Sequence, residues 1–146
     1  MATSPNQQRR ELVILALALV LAMSPWFATA AVLGQLREAW DLSRAQASWL
    51  TIVVQIGFVV GAVFTSVTNL ADRIAPRRLI IIGATGAAVA NLVVVLGDSF
   101  SIAIVARLVT GAMLAAVYPP ALKAMSSWYR EAVSYTHLTL PTTPYV

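Results

Sequence analysis

Four charged residues crowd the short segment from Thr68 to Arg78: Asp72, Arg73, Arg77 and Arg78. Long apolar runs flank it on both sides, so these charges must sit in water at one edge of whatever buries the runs. An aspartate among arginines there can form ion pairs with them, worth more where the pair is partly desolvated. The plainer reading is that the charges only fix which way the chain is oriented. A fifth charge, Arg107, falls about seven residues into an apolar run, roughly 10 Å along a helix from its start. An arginine at that depth in a membrane is expensive and marks a functional site by default. It can donate to backbone carbonyls near Ser24-Pro25, bind an anionic substrate, or snorkel to the nearer interface.

Other polar residues within the apolar runs are few. Ser24, Pro25, Trp26 and Thr29 lie in the first run. Proline there leaves a carbonyl without its helical donor and permits a hinge. Arg107, Trp26, Thr29, Gln55 and Tyr118 are the candidates for lining a solute cavity, with Arg107, Gly111, Ala115 and Tyr118 on one helix face. Asn91 reads as an interhelix hydrogen bond. Gly57-x-x-x-Gly61 allows close helix approach, for packing or for sliding of one element past another, and Gly111 is a third packing glycine. Tyr118-Pro119-Pro120 should bend or end a helix. Trp40, Trp49 and Trp128 read as interface anchors.

Much chemistry is excluded. There is no cysteine, hence no disulfide, thiol nucleophile or cysteine-ligated zinc, and the single histidine is His137. No carboxylate lies within an apolar run, since Glu11 and Asp98 sit at ends, so proton coupling through an acidic residue of these runs is unsupported. No nucleotide-binding loop is present. No catalytic residue, metal site or cofactor is expected, and the chain does not read as an enzyme.

The elements that must position these residues follow from composition. The chain is 59% hydrophobic and 11% charged, where a soluble domain carries roughly a quarter charged residues. A mean hydropathy of +0.78 points the same way, to a lipid bilayer as solvent. The net charge of +4 does not indicate nucleic acid, because the arginines flank apolar runs and no stacking aromatics interleave them. Four spans are expected: Leu12–Leu36, Ser48–Val67, Leu79–Leu96 and Phe100–Leu122. Each is near the 18–25 residues that cross about 30 Å of hydrocarbon as a helix. No run alternates polar and apolar residues, which excludes strands, and bilayer-spanning backbone must satisfy its own hydrogen bonds. The fold class is therefore all-α, a polytopic membrane bundle with short links and antiparallel sequential neighbours. Arg9, Arg10, Arg73, Arg77, Arg78, Lys123 and Arg130 fall on one side, Arg37 and Arg44 on the other. The positive-inside rule puts the amino terminus and the arginine-rich segment in the cytoplasm, with the chain in a cell (inner) membrane.

Two segments need separate treatment. Arg9-Arg10, an apolar core and Ala28-Thr29-Ala30 have the parts of a signal peptide. However, the apolar run continues to Leu36, and Ser24-Pro25 is expected to break the helix before any cleavage point. From Val133 to Val146 the composition shifts to Thr and Pro and the apolar period stops. That string resembles the translation of a transposase sequencing adapter, so a bundle over 1–132 and a non-native tail over 133–146 are expected, the natural protein being longer. His137 and Tyr135 then carry no function.

The segment at Thr68–Arg78 resembles the loop between the second and third helices of the major facilitator superfamily, G-x-L-A-D-R-x-G-R-K/R. Leu70, Ala71, Asp72, Arg73 and Arg77 match; Thr68, Ala75 and Pro76 depart from the pattern. Arg107-x-x-x-Gly111-x-x-x-Ala115 is similar to the family's fourth-helix pattern, with Thr110 in place of a glutamine. The resemblance covers about residues 11–130. It implies four helices of an incomplete six-helix half, and a secondary transporter of a small solute working by alternating access. It implies a gating loop of Asp72, Arg73, Arg77 and Arg78 whose charges pair with each other and with a helix end of the other half. It implies as partners the lipid bilayer, the missing remainder of the transporter and a small-molecule substrate, anionic if Arg107 contacts it. The rival from another class is a complete four-helix membrane scaffold or subunit anchor; a small four-helix drug exporter would need a membrane-embedded glutamate that is absent.

Overall fold

The computed structural model describes residues 5–123. The tail over 133–146, with Tyr135 and His137, lies outside the described residues, as do Trp128 and Arg130. The elements are α1 (Pro5–Ala31), α2 (Leu33–Ala39), α3 (Arg44–Val67), α4 (Leu70–Arg73), α5 (Pro76–Leu96) and α6 (Phe100–Ala115). No strand occurs among the described residues. Four stretches are long and apolar enough to cross a membrane: Leu12–Ala31, Arg44–Val67, Pro76–Leu96 and Phe100–Lys123. The protein is an all-α polytopic membrane protein.

Local chemistry sets the boundaries, and several differ from the sequence expectation. α3 begins at Arg44, ahead of Ser48, because Ser43 and Gln46 form a reciprocal capping box, with Ser43 Oγ accepting from Gln46 N–H at 3.2 Å. α5 begins at Pro76, which occupies the first turn where its missing N–H costs nothing. Arg77 and Arg78 are therefore in the first turn of a helix and not in the link. α1 does not break at Ser24-Pro25 but runs through Pro25 to Ala31. The interruption falls at Val32, between α1 and α2. After α6 a turn at 116–117 precedes resumed helix at 118–123. Pro119 and Pro120 supply no N–H to the carbonyls one turn back, so the chain tightens, with Ala116 and Val117 donating three residues back, to Met113 and Leu114.

α6 is central, packed on α3 along one side and α5 along the other. Its partners in α3 advance with it: Leu50 meets Arg107, Val54 meets Gly111 and Gly61 meets Ala112. The two helices thus run in the same direction. Against α5 the order reverses, with Gly83 meeting Met113 and Val117 while Gly97 meets Ile102. This is the register of successive passes through one layer. α1 makes lighter contact with α3, α5 and α6.

The α3–α6 seam is set by glycine. A methyl at Gly57 would overlap the Leu108 carbonyl, and one at Gly111 would overlap the Val54 carbonyl. At Gly61 it would lie 2.5 Å from the Ala112 carbonyl oxygen. In lipid, where apolar side chains gain little from meeting each other, such backbone contact supplies the dispersion that holds helices together. At one end of the bundle Leu42, Leu50, Val94, Ala103 and Ala106 form a core, with Trp40 packed against it. Trp40 is thus partly a core residue, whereas Trp49 is half-exposed.

Candidate functional site

Arg107 is the largest fully buried side chain of the described residues, with no exposed surface. Its depth follows from the α6 face that carries Ala103, Ala106, Thr110, Gly111 and Leu114, all buried. Small residues on that face leave a channel through which the long side chain reaches two other helices. Nε donates to the Leu50 carbonyl at 3.2 Å, Nη1 to the Pro25 carbonyl at 2.7 Å, and Nη2 to the Trp26 carbonyl at 2.9 Å. One guanidinium therefore joins α6, α3 and α1. The planar fork makes this possible, since three donors diverge from a rigid group. Shut from solvent on every side, Arg107 has no face to offer a solute in this conformation, and it does not reach an interface.

The Arg107 donors reach carbonyls near Ser24-Pro25, as expected, but not the carbonyl that the proline itself frees. Proline at 25 strips the Leu21 carbonyl of its helical donor, and Ser24 Oγ takes that carbonyl at 2.7 Å. Arg107 bonds the carbonyls of Pro25 and of Trp26, further along. α1 stays helical because the orphan carbonyl is satisfied locally while its next turn is pinned to α6. One turn beyond Arg107, Thr110 is fully buried and returns its hydroxyl to the Ala106 carbonyl at 2.8 Å.

The cavity candidates do not converge. Trp26 is half-buried and meets Phe58 edge to face, with centroids 5.3 Å apart and planes at 77°. Thr29 is buried and borders a cavity of about 380 Å³ with Trp40, Asn91 and Asp98, on the α1–α5 side. Tyr118 borders a different groove of about 700 Å³ with Met23, Ser24, Phe27 and Ala31 of α1. Gln55 is exposed on the α3 face turned away from α6. The hydrogen bond expected of Asn91 is not made: its Oδ1 is shut off from solvent and unpartnered among the described residues. It shares its cavity wall with Ala28, Thr29 and Val32 from the α1 side, and makes no hydrogen bond to Thr29 there.

In the arginine-rich segment, Asn69 adopts a left-handed conformation (φ 49°) that ends the run of α3 and starts the single turn of α4. Asp72 on α4 pairs with Lys123 Nζ at 3.1 Å. The expected pairing of Asp72 with Arg73, Arg77 or Arg78 is absent among the described residues; all three arginines are exposed. Lys123 closes the fourth span, and its register places it beside α4. From the sequence alone Lys123 is expected only on the same side of the membrane as Arg73, Arg77 and Arg78. No group of metal-ligating side chains occurs among the described residues.

With this geometry in place, comparison with known proteins adds one match. The family model described as Major Facilitator Superfamily matches residues 15–135. No curated protein and no solved structure matches the chain.

Proposed function

The chain belongs to the major facilitator superfamily, a family of secondary transporters, and we propose that its four spans are the first four of a longer transporter that moves a small solute by alternating access. The observation that carries this reading is Arg107, an intramembrane cation committed to carbonyls of two other spans. With the glycine seam between α3 and α6, it makes α1, α3 and α6 one block, and rocking of a block is what alternating access requires.

In this reading Arg107 positions helices and does not bind the solute. The solute-facing wall is the groove bordered by Ser24, Phe27 and Tyr118, with Trp26 one position from it on α1. Among the described residues no charged side chain borders that groove, which favours a largely apolar, uncharged solute over an anion. The amino terminus and α4 face the cytoplasm, because Lys and Arg are concentrated at that end. There Asp72 and Lys123 form a contact that can open, with Arg73, Arg77 and Arg78 beside it, available to the other half of the transporter.

Uptake assays in vesicles test the reading. The longer protein should take up solute saturably, and vesicles holding only these 146 residues should not. Saturable uptake by the 146 residues alone, or a Tyr118→Ala change in the longer protein that leaves uptake intact, would refute it. A four-helix scaffold would show uptake in neither preparation.

A further inference from the structure

Three polar groups of the described residues border one cavity and are engaged with nothing there: the Thr29 hydroxyl, the Asn91 amide and the Asp98 carboxylate. Buried polar groups are almost always hydrogen-bonded, so the idle Oδ1 of Asn91 is unusual. The rest of the wall is apolar apart from the Trp40 indole, with Val32, Leu36 and Val94 among its side chains. The volume, about 380 Å³, is within the range of small-ligand sites. The site lies between α1 and α5, apart from Arg107 and from the Tyr118 groove, with Ala28 the single residue common to both cavities.

We infer that this cavity binds a small primary or secondary alkylammonium ion. The chemistry narrows the ligand by elimination. An anion would face Asp98 with no cationic group of the described residues on the wall to offset it. A neutral apolar molecule would leave Asn91 Oδ1 unpaired. A hard metal cation takes six or more oxygen ligands and would keep most of its water here, which the apolar remainder of the wall does not favour. A quaternary ammonium has no N–H for the amide oxygen to accept. A protonated amine suits all three groups: its N–H donors match Asn91 Oδ1 and Thr29 Oγ1, Asp98 on the same wall offsets its charge, and the apolar side chains of Leu36 and Val94 suit its alkyl tail. The amide plane of Asn91 turns about a soft terminal torsion, which brings Oδ1 to the cavity. Asp98 is exposed in the α5–α6 link, so the charged end enters from the membrane surface. This inference does not depend on the transport reading.

The test is binding of hexylammonium to the full 146-residue chain in neutral-lipid nanodiscs, with empty nanodiscs subtracted. Saturable binding of one ion per chain is expected, with Asp98→Asn and Asn91→Leu each weakening it about tenfold. Hexanol and hexyltrimethylammonium should bind about tenfold more weakly as well. Asp98→Asn changes a link residue and keeps the fold accessible should Asn91→Leu lose helicity. A ligand-induced change in tryptophan fluorescence should vanish in Trp40→Phe. Non-saturable uptake equal to that of empty nanodiscs, unchanged affinity in Asp98→Asn, or preference for the quaternary ion would overturn the assignment.

Discussion

The hydroxyl of Ser24 donates to the carbonyl oxygen of Leu21 at 2.7 Å, and that carbonyl is the one Pro25 leaves without a helical donor. A proline in mid-span should interrupt a helix, yet α1 continues six residues beyond Pro25, to Ala31. The serine repairs the ladder from the neighbouring position. The repair is made within the helix itself, where a carbonyl left unpaired in the membrane is costly.

Ser24→Ala should therefore destabilise the bundle by about 1 kcal/mol. In a Pro25→Ala background, where residue 25 regains its N–H, the same change should cost nearly nothing. Unfolding of the four variants in detergent forms a double-mutant cycle. Equal cost in both backgrounds would show that the serine hydroxyl does not serve the proline.

Arg107 should not tolerate lysine. An ammonium has three donors on a flexible stem and cannot hold the divergent geometry of a guanidinium reaching Leu50, Pro25 and Trp26. Loss of charged hydrogen bonds at about 1.5–3 kcal/mol each makes Arg107→Lys and Arg107→Met strongly destabilising, and Met at least removes the unpaired charge. Cysteine pairs placed across α1 and α6 should crosslink less efficiently in both variants. Unchanged crosslinking would mean that α1 docks on other contacts.

A methyl group is enough to probe the α3–α6 seam. Gly111→Ala drives a Cβ into the Val54 backbone, whereas Gly34→Ala meets nothing within 4 Å. Backbone cannot swing aside as a side-chain tip does, so Gly111→Ala should cost about 1–3 kcal/mol. Gly34→Ala should be neutral or slightly stabilising, since alanine favours helix. Thermal unfolding of both variants in detergent distinguishes them, and equal behaviour would place the helices further apart than described.

How much of this could be read in the residues depends on how local the cause is. The four spans follow from unbroken apolar composition, which leaves a bilayer segment no choice but helix. The close approach at Gly57 and Gly61 follows from their spacing, although the partner, α6, does not. The break at Val32 was not legible, because the sequence advertises Pro25 instead, and the repair needs Ser24 and a remote arginine. The start of α5 at Pro76 was legible in principle, since proline is at home in a first turn, but the dense charge of Arg77 and Arg78 argued for a link. The Asp72–Lys123 pair spans 51 residues; only the register of the fourth span against α4 brings it together. Asn91 reads as a partner for another helix, and nothing in the sequence says that Ala28, Thr29 and Val32 face it across a cavity without a hydrogen bond.

The Asp72–Lys123 pair separates a stabilising contact from a working one. Both side chains are largely exposed, at 69% and 62%. An ion pair in water at that exposure contributes roughly 0–1 kcal/mol, and added salt screens it further. Asp72→Asn should then leave unfolding of the bundle almost unchanged. If the pair belongs to a latch, its small energy suffices, because a conformational equilibrium near balance shifts several-fold with about 1 kcal/mol. In the longer transporter Asp72→Asn should lower uptake without lowering the amount inserted in the membrane, and Asp72→Lys combined with Lys123→Asp should restore part of the loss. Full uptake by Asp72→Asn would leave the carboxylate with no role beyond solvation. Rescue absent in the charge swap, with uptake still lost, would point to the neighbouring Arg73, Arg77 and Arg78 as the groups that Asp72 serves in the other conformation.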